Sequence, residues 1–262
     1  MTVQTHTVHG ARLAYRFDGP ADAPVVLLSN SLMSSMAMWQ PQMDALAGFR
    51  VLRMDTRGHG QSQATPGPYS IAMLAADVVG LLDALGLQRV HFVGLSMGGM
   101  IGQYLGAHHG ERLLSLALCD TASEMPTIAM WNQRIESARR DGTAALAEAT
   151  LQRWFTAPFI ARAPAAIAAV RAMIAATPTE GYVGCASAVR DMSQTALLAD
   201  IRVPTTVIVG EHDPACTVEQ SRLLHERIAG SSLHVLADCA HLANIEQPEA
   251  FNRALLGFIR TH

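Results

Sequence analysis

VHFVGLSMGGMIGQYL, residues 90–105, joins an apolar run to an amphipathic one through the pattern G-x-S-x-G at 94–98. The run VHFV is typical of a buried strand, and helical periodicity begins after Ser96. A serine between a strand and a helix lies on a sharp turn, and only small neighbours let the backbone bend that tightly. The pattern therefore predicts that Ser96 is a nucleophile lifted above a sheet. An ordinary glycine-rich turn is the alternative.

Short apolar runs alternate with helical stretches on both sides of this motif. Continuous runs such as VVLLS and TTVIV indicate strands that are covered by helices on both faces. Strands are predicted at 12–17, 25–29, 50–54, 89–94, 113–119, 205–209 and 232–236, and helices at 71–85 and 97–108. This order predicts an α/β fold with a mostly parallel, doubly wound sheet.

The strand signals stop after Thr121, and the sequence becomes rich in alanine and helical until about residue 199. Helices are predicted there at 128–140, 143–155, 164–176 and 180–192. Open α/β sheets bind ligands beyond the carboxyl ends of their strands, so an inserted helical segment is expected to cover that edge. We therefore predict a core of residues 1–120 and 196–262 and a helical cap, or lid, of residues 121–195. Extra core helices are the alternative.

A serine nucleophile needs a base and an orienting acid further along the chain. Asp213 follows the predicted strand TTVIVG, and His241 follows the predicted strand SLHVL. The order predicts that Ser96 attacks, that His241 takes and returns the proton, and that Asp213 orients the imidazole. Glu211 and His212 are local competitors for the acid and the base, and a surface loop is the alternative for His241.

An acyl-transfer site also needs backbone N–H donors for the oxyanion. One donor is predicted to be the amide of Met97, directly after the nucleophile. The second is expected from the loop 29–32, which has the sequence Ser-Asn-Ser-Leu. Leu32 is preferred there, and Ser31 stays a candidate.

Composition and charge point to a small-molecule partner. The chain has 262 residues with 22 acidic and 19 basic side chains, no basic run and no apolar run of membrane-spanning length. We therefore expect no nucleic-acid partner and no membrane partner. All 19 basic residues are arginine, which excludes lysine chemistry. The four cysteines form no C-x-x-C pair, and the first ten residues lack the pattern of a secretory signal, so a cytoplasmic location is expected.

No cofactor and no metal site is predicted. A dinucleotide fingerprint does not follow the first strands, and a phosphate-binding P-loop would need a lysine. His108 and His109 are adjacent on a predicted helix and point in different directions, and no H-E-x-x-H spacing occurs. The glycine-rich turn at 55–60, D-x-R-G-x-G, is interpreted as structural.

The chain resembles the α/β-hydrolase superfamily in its D-x-R-G-x-G turn at 55–60, its Ser-Asp-His order and its inserted helices. Longer strings in the core and cap resemble the 3-oxoadipate enol-lactonase family: LLSNSL (27–32), MWQPQ (38–42), RMDTRGHGQS (53–62), HFVGLSMGGMIGQYL (91–105), WNQRIESA (131–138), RWFT (153–156), GYVGCASAVRDM (181–192) and AHLANIEQP (240–248). Many esterases share the core strings. The cap strings, and the SNSL loop in place of the usual His-Gly, carry the substrate assignment.

The resemblance implies a serine hydrolase that cleaves 3-oxoadipate enol-lactone to 3-oxoadipate through an acyl-serine intermediate. That reaction belongs to the β-ketoadipate pathway of catechol and protocatechuate degradation in bacteria, and it implies no cofactor. A general carboxylesterase, or another hydrolase of the fold that acts on a different small ester or lactone, is the alternative. A ligand receptor that keeps the triad is a second alternative.

The implied substrate carries an ionised acetate group, so the pocket is expected to place a cation against it. Trp131 and Arg134 are three residues apart on a predicted helix and share a face, which makes them candidates for substrate binding. A buried cap tryptophan and a solvated arginine are the alternatives. Trp154, Tyr182 and Cys185 are further candidates for the pocket or for cap packing. The sequence leaves the oligomeric state open, a homo-oligomer included.

Overall fold

The computed structural model describes residues 2–125 and 127–262, which contain a single eight-stranded sheet. The strands are β1 (Gln4–Val8), β2 (Ala11–Asp18), β3 (Val25–Ser29), β4 (Arg50–Met54), β5 (Val90–Leu95), β6 (Leu113–Cys119), β7 (Thr205–Gly210) and β8 (Ser232–Leu236). Their spatial order is β1-β2-β4-β3-β5-β6-β7-β8. The first two strands pair antiparallel, β2 also runs antiparallel to β4, and the pairs from β4 to β8 are parallel.

The central strands are buried along their whole length, which explains their continuous apolar sequences. All residues of β3, β5 and β7 are buried, so both faces of the sheet are covered at these strands. The prediction of a mostly parallel α/β sheet is confirmed. Strand β1 was not predicted, because its sequence QTHTV is polar and mostly exposed at the edge of the sheet.

The helices are α1 (Ile71–Ala84), α2 (Met97–His108), α3 (Ile128–Asp141), α4 (Ala147–Trp154), α5 (Ala157–Arg162), α6 (Pro164–Ala176), α7 (Thr179–Asp191), α8 (Val218–Arg227), α9 (Ala243–Glu246) and α10 (Pro248–Ile259). Short 3₁₀ helices span Met36–Gln42, Gly110–Arg112, Thr143–Leu146 and Thr195–Asp200. In the part of the chain that the structure describes, no helix combines the length and the hydropathy needed to cross a membrane.

Helices α3 to α7 lie between β6 and β7, within the segment that was predicted as a cap. The single helix predicted over 143–155 is wrong, because a 3₁₀ turn precedes α4 there. The hydroxyl of Thr143 donates a 2.7 Å hydrogen bond to the carbonyl of Thr177, just after α6, and this bond fixes the 3₁₀ turn. The boundaries of the cap as a domain stay a prediction.

Two glycines bring the turn 55–60 against α7. A Cβ atom at Gly58 would overlap the backbone of Gly181, and a Cβ at Gly181 would overlap the carbonyl of Gly58. Gly58 also has φ +79°, a conformation that disfavours other residues. The close approach of two backbones therefore attaches a cap helix to the core, and neither position accepts a side chain without a shift.

Candidate active site

Ser96 lies on a strained turn between β5 and α2. Its φ of 56° and ψ of −115° are unfavourable for a residue with a side chain. A Cβ at Gly94 would overlap the carbonyl of Gly98, and a Cβ at Gly98 would overlap the carbonyl of Ser29. The two glycines of G-x-S-x-G are therefore required for the turn. The N–H of Ser96 donates to the carbonyl of Cys119 at 2.8 Å, which ties the turn to β6.

The structure brings the three predicted residues Ser96, His241 and Asp213 into one hydrogen-bonded chain. His241 Nε2 lies 3.0 Å from Ser96 Oγ, and His241 Nδ1 lies 2.8 Å from Asp213 Oδ2. All three residues are buried. The competing residues Glu211 and His212 are exposed, and their side chains approach each other at 3.8 Å.

The carboxylate of Asp213 is held from its other side by the backbone. Its Oδ1 accepts hydrogen bonds from the N–H groups of Ala215 at 2.7 Å and Cys216 at 3.0 Å. A second carboxyl, Asp120 at the end of β6, is also buried. Burial, followed by the charge of Asp213, raises the pKa of Asp120 well above its ordinary value. Asp120 therefore resists ionisation.

The loop of His241 is bonded to the C-terminal end of α4 in the cap. The N–H of Leu242 donates to the carbonyl of Trp154 at 3.1 Å. The carboxylate of Glu246 accepts from the N–H of Ala240 at 3.0 Å and from both the N–H and the hydroxyl of Thr156. The indole of Trp154 also lies beside the imidazole of His241, with the rings tilted by 32° and 6.2 Å between their centroids. The position of the imidazole is thus coupled to that of the cap.

Two backbone N–H groups beside Ser96 have no acceptor among the described residues, and they belong to Leu32 and Met97. The N–H of Ser31 is engaged by Met38 Sδ at 3.4 Å. Both Leu32 and Met97 line the cavity that contains the Ser96 hydroxyl. The geometry therefore favours Leu32 over Ser31 as the second donor to an oxyanion.

The loop that carries Leu32 is fixed by the turn 55–60. The N–H of Met33 donates to His59 Nε2 at 2.9 Å, so the imidazole proton is on Nδ1, which lies 3.4 Å from the carbonyl of Arg57. Complete burial lowers the pKa of His59 from 6.5 to about 4, and the ring is neutral at pH 7. Asp55 Oδ1 accepts from the N–H of Met36 at 2.7 Å.

A cavity of about 230 Å³ opens above Ser96 between the core and the cap. Its walls are Ser31, Leu32, Met33, Ser96, Met97, Met100, Met125, Thr127, Met130, Trp131, Arg134, Arg153, Trp154, Val189, Pro214, Ala215, Cys216 and His241. The predicted substrate-binding residues Trp131 and Arg134 are both present. Trp154 also lines the cavity, whereas Tyr182 and Cys185 are buried and lie outside its walls.

Two guanidinium groups face this cavity without an acid beside them. Arg134 on α3 lies 4.9 Å from the ring centroid of Trp131. Arg153 on α4 is half-buried, and burial together with the positive charge of Arg134 lowers its pKa. Among the residues that the structure describes, neither arginine forms an ion pair with a carboxylate. The buried indole N–H of Trp131 also has no acceptor there. These three groups can therefore donate hydrogen bonds to an anion in the cavity.

Arg153 was not among the site residues predicted from the sequence. The sequence did carry a signal for a binding role. An arginine on the surface of a helix often pairs with an acidic residue three or four positions away, and Arg153 has none on α4. Its meeting with Arg134 depends on how α3 and α4 pack, which periodicity does not reveal.

Among the residues that the structure describes, one cluster has metal-ligand chemistry, and it overlaps the triad. Ligand atoms of Asp213, Cys216 and His241 all lie within 4.8 Å of one another. Burial raises the pKa of the Cys216 thiol well above its ordinary value, so this group stays protonated and is a poor ligand. We assign no metal to the cluster.

Comparison with known proteins agrees with this geometry. The family model of the alpha/beta hydrolase fold matches residues 24–248. "3-oxoadipate enol-lactonase 2" of Acinetobacter baylyi is 37% identical over 252 residues, which is 96% of this chain and 94% of the relative. A Variovorax paradoxus relative with the provisional name carbamate hydrolase RutD is 34% identical over 254 residues, covering 94% of this chain and 96% of its own.

Among solved structures, the enol-lactonase from Burkholderia xenovorans LB400 is 43% identical, with a TM-score of 0.96 over 98% of this chain and 100% of its own. The chain belongs to the α/β-hydrolase-fold family. The predicted resemblance to 3-oxoadipate enol-lactonases is confirmed, and so is the prediction that the chain is an ester hydrolase.

Proposed function

We propose that the protein hydrolyses 3-oxoadipate enol-lactone to 3-oxoadipate through an acyl-serine intermediate. The observation that carries this proposal is a Ser96–His241–Asp213 chain that opens into a cavity with two guanidinium groups, neither of which has a carboxylate partner in the described part of the chain. A triad by itself suits any small ester. The guanidinium groups favour a substrate with a carboxylate.

In the first half of the reaction, Ser96 Oγ attacks the lactone carbonyl carbon while His241 Nε2 takes the hydroxyl proton. Asp213 holds the proton on Nδ1 and stabilises the resulting imidazolium. The oxyanion accepts from the N–H groups of Leu32 and Met97, which have no other acceptor within the described ranges. The ring C–O bond then breaks, and the leaving enol oxygen receives the proton from His241 Nε2.

In the second half, the released enol becomes a ketone while the acyl group stays on Ser96. A water molecule gives a proton to His241 Nε2 and attacks the acyl carbon. The C–O bond to Ser96 breaks, the serine oxygen regains its proton, and the product leaves with a new carboxyl group. No step of this sequence calls for a cofactor.

The acetate group of the lactone accounts for the two arginines. A carboxylate between Arg134 and Arg153 would accept charge-assisted hydrogen bonds and offset their mutual repulsion. The indole N–H of Trp131 offers a third donor. A neutral ester would leave both charges without a partner, so specificity for an anionic lactone follows from the same contacts.

We place this reaction in the β-ketoadipate pathway of aromatic degradation, in the cytoplasm. The pathway assignment follows from the proposed substrate, which is the one in the names of the enol-lactonase relatives. The four cysteines are free and buried, which agrees with a reducing compartment.

The test is the loss of the enol-lactone ultraviolet absorbance with the wild type and with the Ser96→Ala variant. A neutral nitrophenyl ester and a small carbamate serve as comparison substrates. Fast lactone loss with the wild type alone is expected, with a kcat/KM at least tenfold above that for either comparison substrate. Fast ester or carbamate cleavage without lactone turnover would keep the triad and reject the substrate. Full activity of Ser96→Ala would reject the nucleophile.

A further inference from the structure

A second cleft, here called the outer cleft, lies against the same two arginines. It has a volume of about 260 Å³ and shares Met130, Arg134 and Arg153 with the cavity above Ser96. Its other walls include the exposed residues Gln133 on α3 and Ala149 on α4. The outer cleft therefore opens to solvent, and the arginine pair stands between it and the active-site cavity.

The outer cleft is rich in hydrogen-bond donors. Thr150 lines it, only 1% of this residue is exposed, and its hydroxyl has no partner among the described residues. Ser137 adds a second hydroxyl, and Gln133 adds a side-chain amide. No carboxylate lines the outer cleft in the described part of the chain.

An unmet buried hydroxyl and a pair of like charges both cost free energy. A buried polar group without a partner loses its hydration without compensation, and the two guanidinium groups repel each other. Burial and the charge of Arg134 lower the pKa of Arg153, which reflects the same cost. A small anion at this place would offset both costs at once.

We propose that the outer cleft is a second binding site, specific for a small carboxylate, on the opposite side of the arginine pair from the active-site cavity. Its carboxylate accepts from the guanidinium groups of Arg134 and Arg153 and from the hydroxyl of Thr150. The outer cleft, with about 260 Å³, has room for a short-chain carboxylate. The proposal depends on the outer cleft and its donors and does not require the lactone reaction.

Sharing the arginines has a consequence for catalysis. An anion in the outer cleft neutralises part of the charge that an anionic substrate meets in the cavity, so the two anions oppose each other. If the function proposed above is right, a carboxylate bound outside raises the KM for the lactone and leaves its kcat unchanged. This consequence rests on the proposed function, whereas binding in the outer cleft does not.

Calorimetric titration of the full-length protein with glutarate tests the proposal. Ala149→Trp fills the outer cleft from an exposed helical position, and Ala172→Trp places the same side chain at an exposed position of α6 outside both cavities. We expect wild type and Ala172→Trp to bind glutarate alike, and Ala149→Trp to lose one molecule bound per chain. Circular dichroism melting checks that both variants are folded.

A subtler variant, Thr150→Val, keeps the shape of the side chain and removes the hydroxyl. It is expected to weaken binding in the outer cleft by about tenfold to hundredfold, the range for a hydrogen bond to a charged group. The proposal is overturned if the wild type binds no glutarate. It is equally overturned if Ala149→Trp and Thr150→Val bind glutarate with the stoichiometry and affinity of the wild type. Lactone turnover is measured separately, so its absence would reject the proposed function and leave the binding result standing.

Discussion

Protonation of His59 is expected to destabilise the fold, so the free energy of unfolding should depend on pH through this one residue. The ring is completely buried, and its Nε2 must stay unprotonated to accept from the N–H of Met33. Protonation would place a charge in the core and remove that acceptor. The substitution His59→Gln keeps a side-chain oxygen that can accept from Met33 and removes the titration.

The magnitude follows from the pKa of His59, which burial lowers from 6.5 to about 4 in the folded protein. Between these values the unfolded chain binds more protons than the folded one, so stability is complete above pH 6.5 and falls as the pH drops toward 4. At pH 5 the unfolded imidazole is almost fully protonated and the folded one is mostly neutral. The resulting loss is about 2 kcal/mol relative to pH 7.

The assay is urea unfolding followed by far-ultraviolet circular dichroism at pH 7 and pH 5. The wild type should lose about 2 kcal/mol more of its free energy of unfolding than His59→Gln over this interval, because other titrating groups are common to both. His6→Gln removes an exposed histidine of β1 and serves as the matched control. It should follow the wild type.

At pH 7 the His59→Gln variant is expected to be less stable than the wild type by about 1–3 kcal/mol, since a buried hydrogen bond is replaced by a poorer one. Only the difference between the two pH values tests the reasoning. Equal losses in the wild type and in His59→Gln would refute it, because they would show that His59 is not held neutral by the fold.

Three further predictions concern the triad, the cavity and the cap. Asp213→Asn should lower kcat about 10⁴-fold by stabilising the wrong imidazole tautomer, and a loss below tenfold in steady-state kinetics would contradict this role. Arg134→Ala should raise the KM for the lactone at least about tenfold with little effect on a neutral ester. The control is Arg162→Ala, which removes a cap arginine that lies against an aromatic ring outside the cavity. Equal effects of Arg134→Ala on both substrates would exclude recognition of the substrate carboxylate by Arg134. Gly181→Ala should lower the free energy of unfolding by about 1–3 kcal/mol in thermal melts. The control is Gly257→Ala on α10, where a Cβ has open space, and it should be neutral or stabilising. A neutral Gly181→Ala would show that the contact between α7 and the core can relax.

Residues at strand ends were the most predictable part of the site. Ser96, Asp213 and His241 each follow an apolar strand, and parallel strands bring their carboxyl ends to one edge of the sheet. Once the strands are correctly predicted, the topology of the sheet therefore places these three side chains close together. The order Ser, Asp, His along the chain further reduced the number of candidates for the acid and the base.

Groups whose partners come from distant segments were not predictable in the same way. The preference for Leu32 over Ser31 rests on a methionine sulfur that engages the N–H of Ser31, and the donor role of Leu32 stays a prediction. No periodicity signals that contact. Arg153 meets Arg134 only through the packing of two cap helices. In contrast, α8 was missed although its capping box, Thr217 with Gln220, can be read from sequence.

The contact between Gly58 and Gly181 also limits how this enzyme can be recombined with its relatives. The two positions lie far apart in sequence and exclude each other's side chains, so they must be inherited together. A chimera that takes its cap from another hydrolase would tolerate a junction before α7 more readily than one after it. In directed evolution, diversity between α3 and α6 can therefore be sampled while α7 stays with the parental core.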